Sequence, residues 1–106
     1  MMDFKWSDSE KKVARRAFDK ALKKECASIM AKFKDMAAKV EKPEDLWAVH
    51  DYLTKQRRSI DEKYDYRYSQ LIFVFARLLG EKWIDEKDLH GLSAEKLQAI
   101  QYILSR

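Results

Sequence analysis

Apolar positions recur along this chain with helical spacing. From Leu22 they fall at Leu22, Cys26, Ile29, Phe33, Met36 and Val40, alternately four and three residues apart, which places all six on one seam of a helix. Upstream, Ser7 and Glu10 have the spacing of a capping box, in which a hydroxyl and a carboxylate satisfy free backbone N–H groups; the first helix is predicted to begin there. Pro43 disfavours helical geometry at Lys42 and suits the first position of a new helix, and Glu44 and Asp45 put acid where the macrodipole favours it. No glycine or proline follows until Gly80, so this second helix is predicted to run about 37 residues, roughly 55 Å.

The seam of the second helix reads Leu46, His50, Leu53, Arg57, Ile60, Tyr64, Arg67, Leu71, Val74 and Leu78. A monomer gains little from holding His50, Arg57 and Arg67 along a packing stripe, whereas a partner subunit could satisfy them with carboxylates and gain register. This points to a homodimer built on the helix. The alternative is a kinked helix folding back on itself, its polar residues facing water. The stretch Leu71–Leu79 (LIFVFARLL) is apolar nearly all round and should be enclosed by other elements. Beyond Gly80, Asp85 can cap a short turn through Leu89 and Gly91 can end it. Ser93 can then start a last helix with Leu97, Ile100, Ile103 and Leu104 on one face. The expected fold is a single all-α domain, with an elongated stem of two long helices (about residues 7–70) and a small helical head (about 71–106), in a homodimer.

Composition agrees. Two glycines and one proline in 106 residues leave little of the turn chemistry that a sheet protein needs, and the length suits one domain. No apolar run approaches the roughly 18 residues that cross a bilayer, and the start Met1–Trp6 lacks the apolar core of a signal peptide, so a cytoplasmic protein is expected. Cys26 alone cannot form an intrachain disulfide, and no Cys/His cluster has metal-ligand spacing, so no metal site is expected. Its place on the first seam makes Cys26 a small packed hydrophobe rather than a reactive thiol.

The net charge of +4 is unevenly spread: residues 1–40 hold 11 basic and 6 acidic side chains, and the rest of the chain is close to neutral. Such a bias in the first helix suits an acidic partner or nucleic acid, or is simply a solvated lysine face. The last two helices could form a helix-turn-helix, but the recognition helix would carry only Lys96 and Arg106 as basic residues, and Asp19 and Glu25 interrupt the basic run. No nucleic-acid partner is therefore expected. Enzymatic constellations are also missing: no Gly-rich phosphate loop, no GxSxG, no HExxH and no cofactor motif. His50 beside Asp51 does not make an acid/base pair, because adjacent helical residues point about 100° apart. What remains is surface: Trp47–Asp51 and Lys63–Tyr68 (KYDYRY) mix Trp, Tyr and arginine, the residue types that carry most interface energy, with carboxylates. The same aromatics could instead fill a dimer contact.

The stretches WSDSEKKVARRAFDKA (Trp6–Ala21), DLWAVHDYL (Asp45–Leu53), RRSIDEKYDYRYSQLIFVFARLL (Arg57–Leu79), EKWI (Glu81–Ile84) and LHGLSAEKL (Leu89–Leu97) resemble the cyanobacterial fluorescence recovery protein family and its bacterial relatives over nearly the whole chain. The resemblance implies an elongated helical homodimer that is not an enzyme. Such a dimer binds the photoactivated orange carotenoid protein, mainly through that protein's C-terminal domain, and speeds its reversion from red to orange. Detachment from the phycobilisome then ends non-photochemical quenching and restores antenna fluorescence. It also implies peripheral association with the phycobilisome or the cytoplasmic face of the thylakoid. Carried over by residue, the family's interface motif falls on Trp47, His50, Asp51 and Arg57, with Leu46 at the apolar centre of the dimer contact; Asp51 and Arg57 would pair across the two-fold axis. A head-domain partner contact would fall at Phe73, a position inside LIFVFARLL that suits a core role equally. The first helix, with its basic excess, and the C-terminal region depart from the family's usual pattern. Relatives in bacteria without phycobilisomes leave open a second role, the same fold acting as a dimeric interaction module on a different partner.

Overall fold

A computed structural model describes residues 4–106, so Met1–Asp3 of the start read for a leader lie outside the described residues. Four α-helices and one 3-10 turn follow in order: α1 (Asp8–Ala38), α2 (Pro43–Lys63), α3 (Leu71–Gly80), the 3-10 turn Glu86–Leu89, and α4 (Ala94–Ser105). Each predicted start is in place. The Ser7 hydroxyl accepts from the Glu10 N–H at 3.2 Å while the Glu10 carboxylate accepts from the Ser7 N–H at 3.1 Å. Pro43 opens α2, Asp85 caps the 3-10 turn, and Ser93 caps α4.

The helix predicted to run unbroken from Pro43 to Gly80 is two helices. It stops at Lys63, and residues 64–70 turn the chain before α3 begins. The cause is a buried ion cluster. Lys63 turns inward, its side chain 3% exposed, and donates to both carboxylate oxygens of Glu25 (3.0 and 2.7 Å) and to Glu81 at 2.5 Å. Tyr64 donates to Glu25 Oε1 at 2.9 Å. Tyr64 and Tyr66 meet Phe18 edge-on, with ring centroids 5.3 and 4.8 Å away. The seam drawn through Leu46–Leu78 therefore ends near Ile60. Its next members belong to the turn or to the head core, and Arg67 finds its acid two residues away at Asp65 rather than on a partner.

The head core is assembled from Leu71, Ile72, Val74, Phe75, Ala76 and Leu78 of α3, Ile84, Leu89 and Leu92 of the following turns, and Ile100 of α4. Its third wall is the first half of α1, where Ala14, Ala17, Phe18 and Ala21 are buried. The second half of α1 leaves the head and pairs with α2 as the stem. On that stretch the seam residues Leu22, Cys26, Ile29, Met36 and Val40 are half-buried and Phe33 is exposed. The molecule measures 53 × 23 × 23 Å with a radius of gyration of 16.8 Å, against about 13 Å for a compact chain of this length.

Candidate partner-binding surface

Val49 is the position of α2 that turns under α1; it is 7% exposed. Residues one helical step round from it point away from the chain. Leu46 is 51% and Trp47 60% exposed, with Leu53 partly exposed a turn later. His50, Asp51 and Arg57 are exposed on the same helix. Leaving a tryptophan and two leucines in water on one helix is unfavourable by about 25 cal/mol per Å², so this strip is poised for burial against something else. Met30 and Phe33 of α1 add exposed apolar surface to the stem; Phe33 belongs to the four-three seam, whereas Met30 lies off it and carries no periodic signal.

The charged members of the strip have loose partners inside the chain. His50 Nδ1 stands 3.5 Å from Asp51 Oδ1, nearer than adjacent helical positions promise but longer than a good hydrogen bond. The indole of Trp47 sits edge-on to the His50 ring at 6.2 Å. Arg57 Nε is 3.8 Å from Asp61 Oδ2, one turn along, with both side chains exposed. Such contacts are worth little in water. The groove beside them is lined by His50, Leu53, Thr54, Arg57, Arg58, Asp61 and Glu62, an apolar floor between opposed charges.

Phe73 is exposed, 43%, while Leu71, Ile72, Val74 and Phe75 around it are buried, so the core role considered for it does not apply. A shallow groove beside it runs over Ala76, Arg77 and Gly80 to Ile103 and Leu104. The aromatic cluster Lys63–Tyr68 is different in kind: Tyr64 and Tyr66 are turned against Phe18, and Tyr68, still exposed, meets Trp6 at a tilt and Tyr66 edge-on, with ring centroids 5.7 Å away in each case. Lys63, counted there as a surface residue, is buried.

Two ionic locks hold these surfaces in place. Around the first, burial pushes the Glu81 carboxyl up, and hydrogen bonds from Lys63, Arg77 and Trp83 overcome it to leave the group below its usual range. Burial and the bond to Glu25 both push the Tyr64 phenol upward. In the second, Lys96 of α4 reaches Glu10 (3.1 and 3.0 Å) and the Lys5 carbonyl at 2.7 Å, and the Ser93 N–H donates to Glu10 at 2.9 Å. Burial would raise the Glu10 carboxyl, but the Ser7 N–H, Lys96 and the Ser93 N–H together bring it to about 2. Among the described residues no group of three or more His, Cys, Asp and Glu side chains is arranged to hold a metal ion, and no helix is long and apolar enough to cross a membrane.

Fold and surface together define a class: an all-α protein of stem and head, with an aromatic and charged strip turned outward on the stem. A family model described as photoprotection regulator fluorescence recovery protein matches residues 6–104. The curated fluorescence recovery protein of Synechocystis sp. PCC 6803 is 38% identical over 96 residues, covering 91% of this chain and 88% of that protein. The solved structure of the Fremyella diplosiphon fluorescence recovery protein superposes with a TM-score of 0.91 at 39% identity, and that of the Synechocystis protein with 0.91 at 36%. Each comparison covers 96% of this chain and 100% of the other. The chain belongs to the fluorescence recovery protein family.

Proposed function

We propose that this protein is an accessory regulator that binds the photoactivated orange carotenoid protein, mainly its C-terminal domain, and accelerates its return from the red to the orange form. Release from the phycobilisome follows, ending non-photochemical quenching. The observation that carries this reading is the exposed strip at Leu46, Trp47, His50, Asp51 and Arg57 in a chain that belongs to the family. These are the positions that the resemblance singles out, and they stand free instead of filling the core. On this reading Leu46 lies at the centre of a homodimer contact, Asp51 of one copy pairs with Arg57 of the other, and Phe73 offers a contact on the head. The mechanism needs no bond chemistry: a partner that binds the closing conformation better than the open one lowers the barrier to closure. The protein works in the cytoplasm at the phycobilisome or thylakoid surface and has no cofactor.

The test is the dark reversion of photoactivated orange carotenoid protein, followed by absorbance, with and without a substoichiometric amount of this protein. Acceleration with turnover supports the proposal. An unchanged rate with several carotenoid-protein homologues overturns it in favour of a module of the same fold serving a different partner.

A further inference from the structure

Counted along the sequence, α1 has carboxylates among its basic residues, and the balance looks moderate. Folding changes the count. Glu10 and Glu25 are buried and bound to Lys96 and Lys63, cations brought in from α4 and α2. Asp19 is held by Arg15 at 3.3 Å. Lys12, Arg16 and Lys23 follow one another on the outward side of α1, exposed and with no carboxylate within ion-pair distance among the described residues. Asp19 lies between Arg16 and Lys23 on this face but turns to Arg15, and Asp8, one turn before Lys12, is the face's one other acid in this stretch, so the strip keeps a positive excess. Lys24 stands beside them. Lys20 is tied to Asp88 at 2.7 Å, and Asp85 and Glu86 lie near Lys24 and Lys82, so the edge toward the 3-10 turn is neutral while the outward strip is not. From Lys12 to Lys24 the strip spans about 18 Å.

We infer that the outward face of α1, centred on Lys12, Arg16 and Lys23, is a docking surface for an acidic protein surface, separate from the α2 strip and from Phe73. The chemistry selects that occupant. A membrane-bound helix needs apolar side chains beside its lysines, and this stretch of the face has none. Single-stranded nucleic acid needs free aromatic faces in a groove, but α1 is a convex rod and the nearest rings are occupied: Tyr66 under Arg15 at 3.7 Å, and Tyr68 between Trp6 and Tyr66. Carboxylates on a partner's surface match the separated lysine ammonium groups and the Arg16 guanidinium, and would gain in association rate from the field of the strip. This inference does not depend on which protein the α2 strip binds.

The experiment measures anisotropy of a fluorescein-labelled poly-glutamate peptide on wild-type protein at low salt, about 20 mM, where exposed charges are weakly screened. The variants are Lys12→Glu/Arg16→Glu/Lys23→Glu and a charge-matched control, Lys42→Glu/Lys55→Glu/Arg106→Glu. The α1 variant should bind at least about tenfold more weakly and the control within about threefold of wild type. Equal loss in both, or no binding by wild type, overturns the site. Tighter binding of duplex DNA or phosphatidylserine vesicles through the same three residues overturns the occupant. Thermal melting reports the fold of each variant; should the glutamate variant unfold, Lys12→Gln/Arg16→Gln/Lys23→Gln carries the same comparison.

Discussion

Lys82 adopts φ +65°, the left-handed conformation that glycine usually supplies at the end of a helix. Its N–H donates to the Leu79 carbonyl at 3.0 Å and the Trp83 N–H to the Leu78 carbonyl at 3.0 Å, the double closure of a Schellman motif. Gly80, which the sequence offers as the stop, is still helical; a Cβ there would come within 3.2 Å of Leu104 Cδ1. Lys82→Gly should therefore stabilise the protein by about 1 kcal/mol in urea denaturation, with the slope unchanged. Gly91 does both jobs, with φ +109° and Val13 Cγ2 2.8 Å from any Cβ. Glu10 sets an acid limit. Its folded value of about 2 lies below the value near 4.3 of an unfolded glutamate, so its stabilisation is complete above that unfolded value and is lost as pH falls through the folded one. The stability gap between wild type and Glu10→Gln, followed by circular dichroism in denaturant, should narrow as pH is lowered from about 5 to about 2.

The turn between α2 and α3 shows where element-level reading stops. Periodicity reports which side chains could share a face, and from Leu46 to Leu78 it is continuous. It carries no record of a lysine whose two acids lie 38 and 18 residues away. Starts were legible because their signals are local: Ser7 with Glu10, Asp85 and Ser93 each satisfy N–H groups three residues away, and Pro43 fixes φ at a position whose N–H would go unpaired, with Asp45 accepting from the Glu41 and Lys42 N–H groups. The alanine wall of α1 was not. Ala14, Ala17 and Ala21 give a weak hydropathy pattern, yet they are almost wholly buried as the α1 wall of the head core. Lys63→Met leaves Glu25 buried without its cation and should cost about 3–5 kcal/mol. Adding Glu25→Gln to it should recover much of that loss, because the unpaired charge is then removed; chemical denaturation of the single and double variants measures both.

For the whole molecule, elongation was legible and partners were not. Trp47, His50, Asp51 and Arg57 were singled out by residue type and resemblance, and the fold leaves them exposed. Residue type alone placed KYDYRY in the same category, and the contacts with Phe18, together with the Tyr64 bond to Glu25, show that Tyr64 and Tyr66 face inward. Leu46→Glu would set like charges against each other at the proposed two-fold contact, so light scattering should give the mass of one chain; an unchanged dimer mass refutes that interface.

The bond from Lys96 to Glu10 has a further effect, on the order in which the chain can fold. The two residues are 86 positions apart, and Glu10 accepts nothing from the start of α4 until Ser93 and Lys96 have been synthesised. While it leaves the ribosome, α1 can form with its N-terminal cap, and Glu25 can meet Lys63 once α2 has followed, but Glu10 stays without its cation until the last helix is made. On the ribosome the Glu10 lock is therefore the later of the two to close, and closing it carries the loop-closure entropy of nearly the entire chain.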